Sequence, residues 1–399
     1  MSEFPWITII GLGEDGPDGL TPASLAALQK AETIMGPPRH LALLPETGVE
    51  RISWPVPFAD GLETLAGFAG RQVAVLASGD PFWFGAGTVI TRRFGTGAVR
   101  TFPAPSTFAR AAALMGWGLE KTVCLGLHAA PLQRLRPQLA SGAQLLVLLR
   151  DGDAVCALGQ YLEDVGFGSS QLTVMEALGG KSERVTRTNP SGAATGTWAH
   201  PVCVAITAAG AGPALPATAG LPDDLFQSDG VMTKRAVRAM TLSALAPCAG
   251  ERLWDIGGGS GSVSVEWLLA HPACQAIAIE PREDRIGFIR ANARTLGVDR
   301  LEIVTGNAPD ALDGLPAPDA VFVGGGLSTD LIEYLKNTLP PGTRVVANAV
   351  TIEAEALLAG LHTEKGGELL RLDFSVARPL GSKRSWDAAY PIVQWSGTL

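Results

Sequence analysis

The sequence predicts an α/β protein of two units, the second of them a doubly wound parallel sheet. Short apolar runs of strand length alternate with longer stretches at helical spacing along most of the chain. At 399 residues the chain is too long for one ordinary core, since domains cluster near about 150 residues. The stretch GAGPALPATAGLPDD, residues 210–224, is rich in proline and glycine and has no apolar period, which is the composition of a linker. Domains over 1–209 and 225–399 follow, joined by that linker.

Composition excludes several classes of function. Hydrophobic residues make up 46% and charged residues 18% of the chain, as in a globular protein. The net charge is −8 without long runs of like charge, so no nucleic-acid partner is expected. The five cysteines, Cys124, Cys156, Cys203, Cys248 and Cys274, are never spaced as a metal or redox pair, which predicts a reducing compartment and no metal site. MSEFPWITII has no basic leader, and no stretch of 18 apolar residues occurs, so a cytoplasmic protein without a membrane partner is expected. A homo-oligomer is the expected assembly.

In the first unit the apolar runs at 6–10, 72–77, 122–125, Gln144–Leu149, 172–175 and Val202–Thr207 read as strands. The proline-containing turn at 102–105 divides this half into two lobes with a cleft between them. In the second unit the order is cleaner: a helix over 234–245, strand Arg252–Ile256, helix Ser262–Ala270, strand 275–279, helix 284–296 and strand 301–304. Strand 319–323, a helix over 330–337 and strand Arg344–Ala349 complete a parallel sheet. Two β-rich runs around GSKRSWD in 369–395 predict an antiparallel hairpin at the sheet edge.

The strongest motif is Leu253-Trp254-Asp255-Ile256-Gly257-Gly258-Gly259-Ser260-Gly261-Ser262, a strand running through glycines into a helix. The missing Cβ atoms let a ligand approach the backbone, and the helix start offers free N–H donors. Glu280 ends the next strand, where a carboxylate can accept both hydroxyls of a ribose. Ser262 stands where a dinucleotide fingerprint requires glycine, which favours S-adenosylmethionine (SAM) over NAD. Asn307 and Ala308 follow the next strand, where an adenine edge would lie. Lys234 and Arg238 share a helix face with Arg235 beside it, a cluster able to hold substrate carboxylates or to serve as a solvated face. Lys383 and Arg384 carry the same two readings.

Gly11-Leu12-Gly13-Glu14-Asp15-Gly16 matches the dinucleotide fingerprint literally, with Glu32 further on. The helix does not open at the third glycine, however: Thr21 is the expected N-cap, with Pro22 in the first turn. Ala77-Ser78-Gly79-Asp80-Pro81-Phe82-Trp83-Phe84-Gly85 follows a buried strand, and its Asp80-Pro81 pair predicts a fixed turn presenting an acceptor. Ser106 and Thr107 stand near the lobe junction with hydroxyls that can orient a ligand. His128, a lone histidine at a strand end, reads as structural rather than catalytic.

The first half resembles the tetrapyrrole methylase family in these three loops, and its CbiE branch in Arg39-His40 after Gly36-Pro37-Pro38. Glu14 and Asp15 depart from that family's glycine-proline-glycine ending. The second half resembles the SAM-dependent methyltransferases of the seven-stranded type, and the CbiT family in Val231-Met232-Thr233-Lys234-Arg235-Ala236-Val237-Arg238 and Ile279-Glu280-Pro281. The resemblance implies a two-lobed tetrapyrrole-methylase-like domain followed by a doubly wound, Rossmann-like SAM methyltransferase domain, with one SAM site in each. It implies cofactor contacts at Gly11, Gly13, Asp80, Pro81, Gly85, Ser106 and Thr107, and at Thr233, Gly257 to Gly261, Glu280 and Ala308. It adds Arg39 to the candidates for substrate binding.

A CbiE-like half before a CbiT-like half resembles the fused corrin methyltransferases of the CobL type. The implied activity is methylation of a precorrin at carbons 5 and 15 with loss of an acetate carboxyl. No catalytic side chain or proton donor is named by the motifs. Three other readings stay open at this point: the same chemistry on a cobalt-containing substrate, a NAD-linked corrin reductase, and a tetrapyrrole carrier without catalysis.

Overall fold

The computed structural model describes residues 5–399; residues 1–4, the start of the first predicted domain and of its N-terminal segment, lie outside the described residues. The break between two compact units falls at Pro213–Ala214, inside the predicted linker, and the short stretch Gln133–Pro137 groups with the second unit. Leu221 is buried in the second unit's core and Leu215 packs against it, so the C-terminal part of the linker is packed chain. Two apolar side chains are too few to show a period, which is why composition misread this stretch.

The first unit holds two sheets. Strands β1 (Ile7–Leu12), β2 (Thr33–Gly36), β3 (Glu50–Ser53), β4 (Val73–Ser78) and β5 (Val99–Phe102) form a parallel sheet in the order β3-β2-β4-β1-β5. β1 and β4 read as continuous apolar runs because both faces are covered: Ile7, Ile9, Val73 and Val75 enter one core, Ile10, Leu12, Ala74 and Leu76 the other. The helix Pro22–Gln29 begins as the sequence predicts, with Thr21 Oγ1 accepting the Ser24 N–H at 3.1 Å. After Phe102 the chain builds the second lobe. It comprises β6 (Val123–Gly126), β7 (Gln144–Leu149), β8 (Gln171–Glu176), β9 (Arg184–Thr188) and β10 (Val202–Thr207) in the order β6-β7-β10-β8-β9. Only the β6–β7 pair in it is parallel.

The second unit is a seven-stranded sheet. Its strands are β11 (Arg252–Ile256), β12 (Gln275–Glu280), β13 (Glu302–Thr305), β14 (Ala320–Val323), β15 (Arg344–Ala349), β16 (Glu368–Leu372) and, later, β19 (Ile392–Thr398). The order is β13-β12-β11-β14-β15-β19-β16, parallel up to β15 and antiparallel beyond it. Strand order reverses beside β11, so the loops after β11, β12 and β14 open into one crevice. A helix over Ile352–Lys365, capped by Thr351, lies between β15 and β16 and was not anticipated.

The predicted antiparallel edge over 369–395 is formed by β16 and β19, and a second hairpin, not predicted, stands between them outside the sheet. β17 (Ser375–Leu380) and β18 (Lys383–Ala388) pair only with each other, and every residue in them is exposed. The hairpin keeps Val376, Leu380 and Trp386 exposed along with its charged residues, whereas β19 brings buried Val393 and Trp395 and takes the place beside β15. No helix among the described residues is long and apolar enough to cross a membrane.

Candidate cofactor and substrate sites

At the carboxyl ends of β1 and β4 three stretches of backbone meet. A Cβ on Gly11 would stand 2.0 Å from the Gly79 carbonyl and 2.6 Å from the Ala104 nitrogen, so only glycine fits. Above this junction lies a cleft of about 370 Å³ that Gly13, Gly85, Ser106, Thr107 and Arg39 all reach. Ser106 also caps the helix Thr107–Met115 by accepting the Ala109 N–H at 3.1 Å. Gly11, Asp80 and Pro81 do not line the cleft. Asp80, expected to offer its carboxylate, uses Oδ1 to accept the Phe82 N–H at 2.8 Å and so closes the turn of its own loop. The same loop presents Trp83 and Phe84, whose rings lie 5.1 and 6.0 Å from that of Phe108.

Glu14 and Asp15, which depart from the family's loop ending, each hold an arginine. Glu14 pairs with Arg39, which also donates to Ser78 Oγ at 3.2 Å. Asp15 lies 2.6 Å from Arg110. Arg110 lines the cleft and escaped sequence reading; its signal is a single cation in the otherwise apolar helix TFARAAALM. A substrate carboxylate entering here would exchange with a partner already present. His128, read as structural, is exposed on the cleft wall, and His200, pushed below the ordinary histidine range by burial and by Arg39, lies there too.

His40 sits beneath, only 1% exposed, with Nε2 3.2 Å from Ser78 Oγ. Burial, and then the Arg39 charge, push its pKa down to about 3. A depressed folded value means that this group's contribution to stability is full above an unfolded pKa of about 6.5 and is lost as pH falls toward 3. Urea unfolding of the wild type between about pH 6.5 and 4 should therefore carry a His40 slope of up to about 1.4 kcal/mol per pH unit. His40→Gln, which can still reach Ser78, should flatten it.

The second pocket, about 380 Å³, opens above β11, β12 and β14 and is lined by Thr233, Lys234, Gly257, Gly258, Gly259, Ser260, Glu280, Asn307 and Ala308. Gly259 has φ +57°, and around its missing Cβ nothing lies closer than the carbonyls of Gly257 (3.9 Å) and Val231 (4.0 Å). A methyl group there would make ordinary contacts, so this position favours glycine for its left-handed backbone rather than for space. Gly261 lies outside the lining; its absent Cβ faces Ile289 at 3.0 Å, so it packs the helix Ser262–Ala270. Glu280, 2% exposed, accepts the Gly259 N–H at 2.8 Å on one oxygen and the Arg282 N–H at 3.1 Å on the other. Each oxygen keeps a further lone pair for a hydroxyl.

Asp255 lies deeper, and burial pushes its carboxyl up to about 6 against the pull of its Ser264 hydrogen bonds. Its Oδ1 and the Ser260 Oγ are buried without a hydrogen-bond partner, and both residues line the pocket. Arg282 and Arg285 also line this pocket and were missed; both stand just beyond Glu280, in or beside the first turn of the helix Glu283–Thr295.

The basic cluster divides. Lys234 lies at the pocket, but Arg238 does not: it is fully buried, donating to Glu266 at 2.5 Å, to the carbonyls of Leu221 and Thr233 at 2.5 and 2.6 Å, and to Asp223 at 3.1 Å. With its donors engaged inside the unit it is unavailable to substrate, which corrects that expectation. Arg235 turns to the Gly220 carbonyl at 2.8 Å and stays outside the pocket lining. Lys383 and Arg384 stand on the separate hairpin and do not line the pocket either.

Residues 7–193 match the model of the tetrapyrrole (corrin/porphyrin) methylases, and residues 224–399 that of a precorrin methyltransferase domain. A precorrin-6Y C(5,15)-methyltransferase (decarboxylating) from Sinorhizobium sp is 46% identical, covering 99% of this chain and 96% of its own. One of the same name from Mycobacterium tuberculosis (strain CDC 1551 / Oshkosh) is 39% identical, with 98% and 99% covered. The solved C-terminal domain of precorrin-6Y C5,15-methyltransferase from Rhodobacter capsulatus is 54% identical over 46% of this chain and 100% of its own, with a TM-score of 0.45. With such identity to relatives sharing its whole length, the chain belongs to the family of decarboxylating precorrin-6Y C(5,15)-methyltransferases.

Proposed function

We propose that the two units divide the family's reaction, each with its own SAM site. The unit over 225–399 methylates carbon 15 and removes the carboxyl of the C12 acetate arm; the unit over 1–209 methylates carbon 5. As a member of its family the chain is a SAM-dependent methyltransferase of cobalamin biosynthesis acting on a precorrin, with decarboxylation. The observation that carries the second site is the buried carboxylate of Glu280, oriented by the Gly259 and Arg282 N–H groups in the wall of a pocket of about 380 Å³.

The division of labour draws support from a Salmonella typhimurium relative named cobalt-precorrin-6B C(15)-methyltransferase (decarboxylating). It is 34% identical over 92% of its own length but 43% of this chain, so a protein about one unit long bears both activities in its name. The full-length relatives are named without cobalt, which supports a metal-free precorrin as the substrate.

When bound, SAM supplies a methyl group on a cationic sulfur. The chain's part is to hold and shield. Glu280 accepts the ribose hydroxyls, the glycine loop lets the backbone close on the ligand, and the residues Val231 to Lys234 cover it. Lys234 at the rim, and Arg39 and Arg110 in the first cleft, can hold carboxylate arms so that the reacting carbon lies in line with the methyl group. The conjugated macrocycle provides the electron-rich carbon and accepts the electron pair released on decarboxylation.

Calorimetric titration of the whole chain with S-adenosylhomocysteine should find two sites per chain. Supplied with precorrin and SAM, Glu280→Ala should release no carbon dioxide and give a product methylated at carbon 5 alone. A single site, or carbon dioxide release at the wild-type rate by Glu280→Ala, would overturn the proposal.

A further inference from the structure

The stretch from Gly220 to Lys234 contains one short 3-10 turn, Asp223–Leu225, and no other regular structure, yet it is tied down at three places. The buried pair Arg238–Glu266 holds its two ends: Glu266 accepts the N–H groups of Gly220 and Leu221 at 2.6 and 2.9 Å, while Arg238 donates to the Leu221 and Thr233 carbonyls. Asn292, 1% exposed on the helix Glu283–Thr295, takes both backbone groups of Gln227, accepting the N–H at 2.8 Å and donating to the carbonyl at 2.9 Å. The same side-chain amide donates to the Ser260 carbonyl at 2.8 Å, so one residue grips both this stretch and the glycine loop. Asp229 is the third tie. Its Oδ1 accepts the Val231 N–H at 3.0 Å, and its Oδ2 takes both Nε and Nη2 of Arg285 at 3.0 and 2.9 Å.

Between these ties Val231, Met232, Thr233 and Lys234 line the pocket, with the Val231 carbonyl next to Gly259 of the glycine loop. Neither Asp229 nor Asn292 lines it. We infer that Asp229 and Asn292 are positioning residues for the cofactor of the C-terminal unit: they hold the wall Val231 to Lys234 in place against the glycine loop, so that the pocket lined by wall and loop keeps its shape. This rests on reading that pocket as a SAM site. Asn292 fixes the spacing between wall and loop. Asp229 fixes the approach of Val231 by tethering it to Arg285, on the same helix as Asn292. Asp229 is the more informative of the two to change, because its side chain is partly in water and the core does not depend on it.

The test uses the full chain, with S-adenosylhomocysteine titrated by calorimetry and thermal unfolding followed in parallel. Asp229→Ala should weaken, by about tenfold, the site that Glu280→Ala removes, leaving the other site and the melting temperature unchanged, as expected for one exposed charge-assisted tie. Asp229→Asn, which keeps the acceptor for Val231 but not the charge for Arg285, should fall between. In turnover, KM for SAM should rise with kcat retained at saturation. Asn292→Ala should weaken the same site further, with some loss of melting temperature. Unchanged affinity in Asp229→Ala, equal weakening of both sites, or weakening only in step with a lower melting temperature would each overturn the inference. If Glu280→Ala itself removes no site, the SAM reading of the pocket fails, and that result is seen without the Asp229 variants.

Discussion

Arg238→Ala should cost the C-terminal unit about 3–5 kcal/mol, because it leaves Glu266 as an uncompensated buried carboxylate. The guanidinium is fully buried, lies 4.7 Å from the Phe226 ring centroid, and makes four hydrogen bonds to Glu266, Asp223 and two carbonyls. Glu266 would retain only the two N–H groups of Gly220 and Leu221. For a unit of this size such a loss corresponds to a fall in melting temperature of roughly 6–20 °C. Lys234→Ala, on the same helix face by spacing but exposed, should stay within about 0.5 kcal/mol of the wild type. A pair of unfolding curves distinguishes the two roles; an Arg238→Ala protein that melts normally would show that the buried pair contributes little.

Glu280→Ala should weaken SAM binding in the C-terminal pocket by about 10²- to 10⁴-fold. Two ribose hydroxyls donated to a buried carboxylate are worth about 1.5–3 kcal/mol each, and every 1.4 kcal/mol is tenfold. The carboxylate is already oriented by the Gly259 and Arg282 N–H groups, so little is spent on arranging it when the ligand arrives. Calorimetry with S-adenosylhomocysteine measures the loss, and melting temperature separates the two roles this residue could have. If Glu280 only held the glycine loop, binding would fall together with stability.

Glu280 and Arg238 differ in how far the sequence foretells them. Glu280 was legible because a carboxylate ending the strand after a glycine loop is fixed by topology, and β11 and β12 are indeed neighbours in register. Arg238 was not: helical spacing tells which residues share a face and is silent on which face turns inward. Asp80 failed for a related reason, since a short acid before proline serves its own turn as readily as a ligand. Arg110 and Asp15 meet across 95 residues, a distance over which no local pattern carries information. The long alternating elements of the second unit were read nearly to their ends, while β2 (TIMG) and β3 (ERIS) were missed because each holds only one pair or fewer of adjacent apolar residues, too little to stand out as an apolar run. The helix Ile352–Lys365 did leave signals, Thr351 before it and Gly366 after it, that the reading passed over.

The hairpin of β17 and β18 leaves and rejoins the second unit at a single point. The Ala389 N–H donates to the Phe374 carbonyl at 2.9 Å, and the strands on either side, β16 and β19, are themselves hydrogen-bonded neighbours. The register of the seven-stranded sheet is therefore independent of what lies between Phe374 and Ala389. Lengthening, shortening or recharging that insert, Lys383 and Arg384 included, changes what the unit offers to solvent while leaving the cofactor pocket's scaffold as it was, so this is a place where related chains are free to diverge in partner or substrate contacts without refolding the sheet.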